Sequence, residues 1–375
     1  MAQQMRAIRL LLATLLILLS NLVAAVEVEN LYVADVSAEQ NQRQWQSNAL
    51  AQVITRLTGI TDLTVYPQVA SELDDPAKYV KQFESVRQNG SNRLRVLLDA
   101  SLINLLLQQQ GIAIWGAQRP EILAWIVQQQ GAERTFLRQQ ENELVKLLLQ
   151  KLAESGVPVT LPLYDIDDLM QLTETDVWAG FWQPINQASA RYRPDMIMTL
   201  AFDEISRDGE KLQRLSWQRQ SPVAGTNQNR IIRNDVTAAD LPGLVTAFAA
   251  SLGQELAAEQ AVVLSPQHNT VQLAVENLQS LADVVAVERL LNRVLGVAAV
   301  TLHEFSDNEA RFAVDLQIEL SQLISILQWQ PALALAQSNS VAVVQDSGRR
   351  NDRFAAAVEL NPGSAADVKY VFIRR

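Results

Sequence analysis

Ile122-Leu123-Ala124-Trp125-Ile126-Val127 is an unbroken apolar run, and it restricts the fold more than any other stretch of the chain. A strand with one face in water alternates apolar and polar residues, whereas a strand that is apolar throughout must be covered on both faces. Long helical patterns flank the run, so it predicts a sheet with helices on both sides, an α/β layer arrangement. Just ahead of it stand Trp115-Gly116 and Arg119-Pro120. Proline fixes its own φ and restricts the residue before it, so this pair reads as a rigid corner that closes one folding unit and opens the next.

Upstream of the corner, Val28 to Val36 mixes β-branched and aromatic residues and reads as a strand. Trp45, Ala49, Val53 and Leu57 recur at one-turn spacing with Leu50 and Ile54 beside them, which predicts a helix stopped by Gly59 as its C-cap. Tyr79 to Arg87 and Arg93 to Leu98 read as strands joined at Asn89-Gly90, a favoured two-residue hairpin turn. A helix from Leu102 to Gln109, capped at Asp99 or Ser101, completes the order βαββα.

Downstream, Gly131 turns the apolar strand into a short one near Phe136, and a helix over 141–154 gathers Leu144, Leu147, Leu148 and Leu152 before ending at Gly156. Val157 to Leu163 is expected as a marginal strand, because it carries two prolines. Short helices follow around 165–172 and 184–192. Met196 to Phe202 and Leu212 to Gln218 pair across Asp208-Gly209, Arg230 to Val236 adds a strand, and a long helix runs from Asp240 to about Ala261. After a linker at Ser265 to Asn269 the pattern βαββα returns: strand 271–275, helix 280–295, strands 297–304 and 310–317 meeting at Asp307-Asn308, and helix 321–328. Asn92 to Asp99 and Asn308 to Asp315 fill the same slot in the two copies. Val341 to Val344 and Tyr370 to Ile373 add one or two terminal strands. The expected fold is therefore α+β / α/β in three units: residues 26–118 and 264–375 as ferredoxin-like βαββα units, and residues 119–263 as a mixed sheet with packed helices.

Residues 1–25 stand apart. Arg6 and Arg9 precede an apolar run from Leu10 to Leu19, and Val23-Ala24-Ala25 offers small residues for cleavage. That is the plan of a secretory signal peptide, and the run is shorter than the ~20 residues of a spanning helix. The expectation is export to the periplasm or beyond, with no stable membrane insertion after cleavage. The chain has no cysteine, which excludes disulfides, thiol nucleophiles and cysteine metal sites. Its formal charge is −10, and loss of two arginines and no acids with the leader takes it to −12. A chain of that sign lacks the basic footprint that nucleic acids or anionic membranes demand.

Several motifs bear a resemblance to a known family. Thr55-Arg56-Leu57-Thr58-Gly59, Arg95-Val96-Leu97-Leu98-Asp99, Trp115-Gly116-Ala117-Gln118-Arg119-Pro120 with Leu123-Ala124-Trp125, and Asp176-Val177-Trp178-Ala179-Gly180-Phe181 resemble secreted gammaproteobacterial proteins catalogued as domain of unknown function 2066. The likeness spans roughly 26–261 and implies no activity, since that family has none established. In element order the middle unit is similar to the amino-terminal domain of periplasmic TolB, which implies binding to other proteins.

Catalytic signatures are sparse. His268 and His303 are the only histidines, too few and too far apart to argue for a zinc site or a hydrolase triad. Asp165, Asp167 and Asp168 lack the glycine and further ligands of a calcium loop and read as a helix cap. No phosphate-binding glycine motif occurs. No metal or cofactor is expected. Trp115, Arg119, Trp178 and Trp182 are the candidate partner-binding residues, because tryptophan and arginine dominate binding hot spots. The plainer reading of the same residues is that Trp115 packs the corner fixed by Arg119-Pro120. The expected function is a non-enzymatic adaptor that binds another envelope protein through sheet edges or a groove at the first joint. The alternative is a carboxylate-based hydrolase acting on an envelope polymer with Asp203, Glu204 or Asp208.

Overall fold

A computed structural model describes residues 30–88, 90–138, 142–207, 209–222, 229–328, 330, 332–336 and 368–373. The leader, Asn89, Asp208 and the expected strand at 341–344 lie outside the described residues.

The first sheet holds β1 (Val33–Ser37), β2 (Val80–Gln88) and β3 (Ser91–Leu98) in the order β1-β3-β2, with both pairings antiparallel. β1 starts later than expected, because residues 30–32 form a turn with Asn30 at φ 71°. Ala34, Val36, Val96 and Leu98 alternate onto the covered face, where α1 (Gln42–Thr58) and α3 (Ala100–Gln109) supply Trp45, Leu50, Ile54, Ile103 and Leu107. A short α2 (Pro67–Asp74) begins with proline in its first turn, where no amide donor is missed. The Asn41 side chain accepts from the Gln44 amide at the start of α1, and the Asp99 carboxylate accepts from the Ser101 and Leu102 amides at the start of α3. Gly59 closes α1 at φ 70°, and a Cβ there would lie 2.7 Å from Ala257 Cβ, so this glycine serves both the cap and a close approach.

The second sheet follows the apolar run. β4 (Ile122–Gln130), β5 (Glu133–Phe136), β7 (Met196–Arg207), β8 (Glu210–Pro222) and β9 (Asn229–Ala238) lie in the order β5-β4-β7-β8-β9, and a two-residue β6 (Val159–Thr160) pairs with the start of β4. β4 and β7 are parallel, while β5, β8 and β9 join antiparallel. Successive β4 residues point to opposite faces. Ile122, Ala124 and Ile126 meet α4 (Glu143–Glu154) and α8 (Leu241–Gln260), whereas Leu123, Trp125 and Val127 meet Tyr164 and Leu172, which flank α5 (Ile166–Gln171), and residues on α6 (Glu174–Ala179) and α7 (Trp182–Ser189). The expected strand at 157–163 shrinks to β6, since Pro158 and Pro162 remove ladder donors on both sides of it. The expectation had no helix at α6, which is closed at its start by a Thr173–Asp176 capping box.

The third sheet repeats the arrangement of the first. β10 (Asn269–Glu276), β11 (Val297–Ser306) and β12 (Glu309–Leu316) run β11-β12-β10, again antiparallel at each step, with α9 (Leu281–Asn292) and α10 (Leu320–Leu327) packed on it. β14 (Val368–Phe372) then adds parallel to β10, and β13 (Leu333–Leu335) pairs with β14. One apolar core runs through the first and third sheets, and the middle sheet has its own core on each face. The middle part leaves and rejoins at a single place: Ile114 N donates to Val262 O and Val262 N to Ile114 O, at 2.8 and 3.0 Å. Among the described residues no helix is long and apolar enough to cross a membrane.

Candidate functional site

The corner is held by two arginines. Arg119, 2% exposed, lies between the end of α1 and the end of α4. Its Nε donates to Gly116 O, Nη1 to Ser155 O and Gly156 O, and Nη2 to Arg56 O and Trp115 O. Arg56 donates from Nε to Glu154 O and from Nη1 to the carbonyls of Asn30, Leu31 and Val33. The last carbonyls of a helix have no partner within it and carry the negative end of its dipole. Two guanidinium groups at the end of α4 therefore answer both needs. Burial, reinforced by Arg56 nearby, pushes Arg119 down to about 9, which leaves it charged at neutral pH.

Beside this clamp lies a cleft of about 860 Å³. Cross-strand pairing sets one face of it, because Asp35, Arg95 and Glu84 are neighbours across β1, β3 and β2. Arg95 sits between the two acids, 3.2 Å from Asp35 and 3.8 Å from Glu84. α1 lends Gln52 and α4 lends Gln150 and Glu154. Burial alone would raise the Glu154 carboxyl, but hydrogen bonds from Lys151 and Gln150 and the charges of Lys151 and Arg93 hold it below its ordinary range. Two side-chain atoms in this lining, Gln52 Oε1 and Arg93 Nε, are buried without a hydrogen-bond partner. An unmade buried bond costs about 1–3 kcal/mol, so an acceptor and a donor here lack their complements.

The four expected partner-binding residues do not form one groove. Trp115 and Arg119 are buried against each other, and Trp115 Nε1 donates to Gln260 Oε1 at 2.9 Å. Trp115 belongs to the core shared with α4 and α8, on one face of β4. Trp178 and Trp182 pack half-buried on the opposite face, with the Arg134 guanidinium 4.9 Å from the Trp178 ring. The corner feeds one layer of helices and residues 176–182 belong to the other, so the sheet separates the two pairs. Trp115 does border a second cleft of about 400 Å³, together with Gln118, Gln260 and residues of α10.

The carboxylates expected for hydrolysis are likewise apart. Asp203 receives Arg214 Nε and Nη2 at 2.9 and 2.6 Å from the neighbouring strand. Glu204, the next residue on β7, points to the other face, and Asp208 is outside the described residues. His268 Nδ1 is 2.9 Å from Asp315 and its Nε2 3.1 Å from the Gln317 amide nitrogen. The amide can only donate, so the neutral imidazole with its proton on Nδ1 satisfies both contacts. His303 is exposed on β11. Asp165 caps α5 as expected, accepting from the Asp168 amide, and also takes the Arg191 fork at 2.8 and 2.9 Å. Asp168, buried, accepts from Tyr192 Oη at 2.5 Å and from Arg191 at 3.3 Å. Among the described residues no group of three or more His, Asp or Glu side chains is placed to hold a metal ion.

Sequence reasoning missed Arg56, Arg191 and Arg219. Arg219 is buried under α8 with Glu255 at 3.4 Å and Glu259 at 2.9 Å. An arginine at an inward position of an alternating strand was the available signal.

In comparisons with known proteins, residues 25–116 match a domain of unknown function (DUF8605). That is a different family from domain of unknown function 2066, and the match stops at the corner. No curated protein matches the chain. A solved structure titled "Crystal structure of uncharacterized protein" aligns at 11% identity with a TM-score of 0.17, covering 38% of this chain and 92% of that one. At that score it carries no argument about the fold.

Proposed function

We propose that this chain is a non-enzymatic periplasmic binding module that holds a segment of another envelope protein in the cleft between the first sheet and α4. The observation that carries the reading is the pair Gln52 Oε1 and Arg93 Nε, unmet on one cleft lining beside the Asp35–Arg95–Glu84 ladder. A polypeptide main chain presents alternating N–H and C=O groups, the complements these two atoms lack. A mixed ladder of charges suits a partner of mixed charge. The leader supports export, and the motifs at 115–125 and 176–181 support kinship with the gammaproteobacterial family read above. The TolB-like element order of the middle unit points the same way. The hydrolase alternative is less well supported, because Asp203 is neutralised by Arg214.

The test is a photo-crosslinking amino acid at the exposed Gln82 in intact cells, with the mature N-terminus read by mass spectrometry. A discrete crosslinked protein that fades in an Arg93→Ala background, on a chain starting near Val26 in the periplasmic fraction, is the expected result. Turnover of purified cell-wall polymer with no crosslinked protein would overturn the reading.

A further inference from the structure

The helical layer on the outer face of the middle sheet carries an apolar surface that stays exposed among the described residues. Leu163, Ile166 and Met170 are 69%, 75% and 81% exposed, and Leu169 between them is 42% exposed. Ile166 and Met170 stand one turn apart on α5, with Leu169 adjacent, so they share a face. The opposite side of α5 is fastened: Asp168 is buried and bonded to Tyr192 and Arg191, and Asp165 is forked by the same arginine. This network fixes the rotation of the helix and directs its apolar side outward.

The segment that carries this face is acidic. From Leu163 to Phe181 the chain has Asp165, Asp167, Asp168, Glu174 and Asp176 and no lysine, arginine or histidine. Arg191 approaches from α7's end, 2.8 Å from Asp165, 3.3 Å from Asp168 and 3.9 Å from Asp167, so three acids against one arginine leave a net negative charge, with the Asp167 side chain 77% exposed beside the apolar face. An apolar stripe with an acidic border is complementary to a helix that has an apolar stripe and a basic border. The same charge repels an anionic lipid surface.

We infer that the α5 face is a docking site for a basic amphipathic helix of a partner protein. It lies on the opposite side of the middle sheet from α4 and the cleft, so it is independent of the cleft reading.

The experiment titrates the full mature protein with a labelled leucine/lysine amphipathic peptide of roughly 18 residues, about five helical turns, and follows anisotropy. A leucine/glutamate peptide of the same pattern is the control. The expected result is saturable binding of the lysine peptide and none of the glutamate peptide. Ile166→Ser with Met170→Ser should weaken the affinity about thirtyfold, as loss of two anchors of ~1 kcal/mol each implies. Asp167→Lys should also weaken it. Both variants alter exposed side chains, and an unchanged melting curve shows that they fold. Equal binding of the lysine peptide to the double variant, or binding of the glutamate peptide, would overturn the inference. So would sedimentation with phosphatidylglycerol vesicles that the double variant abolishes, because that assigns the face to lipid.

Discussion

The guanidinium of Arg119 lies 3.7 Å from the centroid of the Trp115 ring while its five N–H groups meet five backbone carbonyls. Those carbonyls come from α1, from the corner and from the end of α4, so one side chain ties three segments. Arg119→Met leaves them buried and unmet. It should destabilise the protein by about 3–5 kcal/mol, the range for removing one side of a buried charged network. Arg119→Lys should recover only part, since an ammonium cannot reproduce the planar fork. Urea unfolding followed by tryptophan fluorescence measures both, and a loss below about 1 kcal/mol for Met would contradict the clamp.

Gly156 and Gly131 both adopt positive φ, 69° and 60°. At Gly131 a Cβ meets nothing within 4 Å, whereas at Gly156 it would lie 2.6 Å from Arg119 Nη1 and 2.9 Å from Arg56 Cγ. Gly131→Ala should therefore cost only the conformational penalty of about 1–2 kcal/mol. Gly156→Ala should cost clearly more, because the clamp must also shift. Equal melting temperatures for the two variants would refute the difference.

Asp168 holds Tyr192 as well as Arg191. Burial, and then the hydrogen bond to Asp168, push the Tyr192 phenol up to about 12. Asp168→Ala should lower the midpoint of its phenolate absorbance and destabilise α5 by about 2–4 kcal/mol. An unmoved tyrosine titration would show that the bond does not form.

Burial raises the phenols of Tyr79, Tyr164 and Tyr370 above their ordinary range. A group that keeps its proton longer when folded contributes stability below its unfolded pKa of about 10, and that contribution is lost as pH rises through the folded value. Arg119 has the opposite sign, since its folded value is depressed and it favours folding above pH 9. The tyrosines outnumber it, so the melting temperature should fall between pH 8 and pH 11. Calorimetry at the two values checks this, and a rise would show that Arg119 outweighs them.

Much of this fold could be read locally because its signals are local. The cap Asp99, the glycines at 59, 131 and 156, and the all-apolar β4 each act within a few residues, and the elements they mark lie where expected. The strand at 157–163, expected as marginal for its two prolines, is shorter still, because Pro158 and Pro162 leave only Val159 and Thr160 to pair with β4. The site was much less legible. The carbonyls around Arg119 are contributed by residues up to 63 positions away, and a carbonyl has no residue type to betray it. Likewise the separation of Trp115 from Trp178 depends on which face of β4 each helical layer covers, a fact about packing that spacing does not carry.

The double hydrogen bond between Ile114 and Val262 has an evolutionary corollary. A stretch of chain whose entrance and exit touch can be acquired, exchanged or lost as a cassette without rerouting what surrounds it, and the outer two sheets would still find each other across the scar. The clamp made by Arg56 and Arg119 is then the graft's suture, because it asks the host and the inserted part to have been fitted to one another.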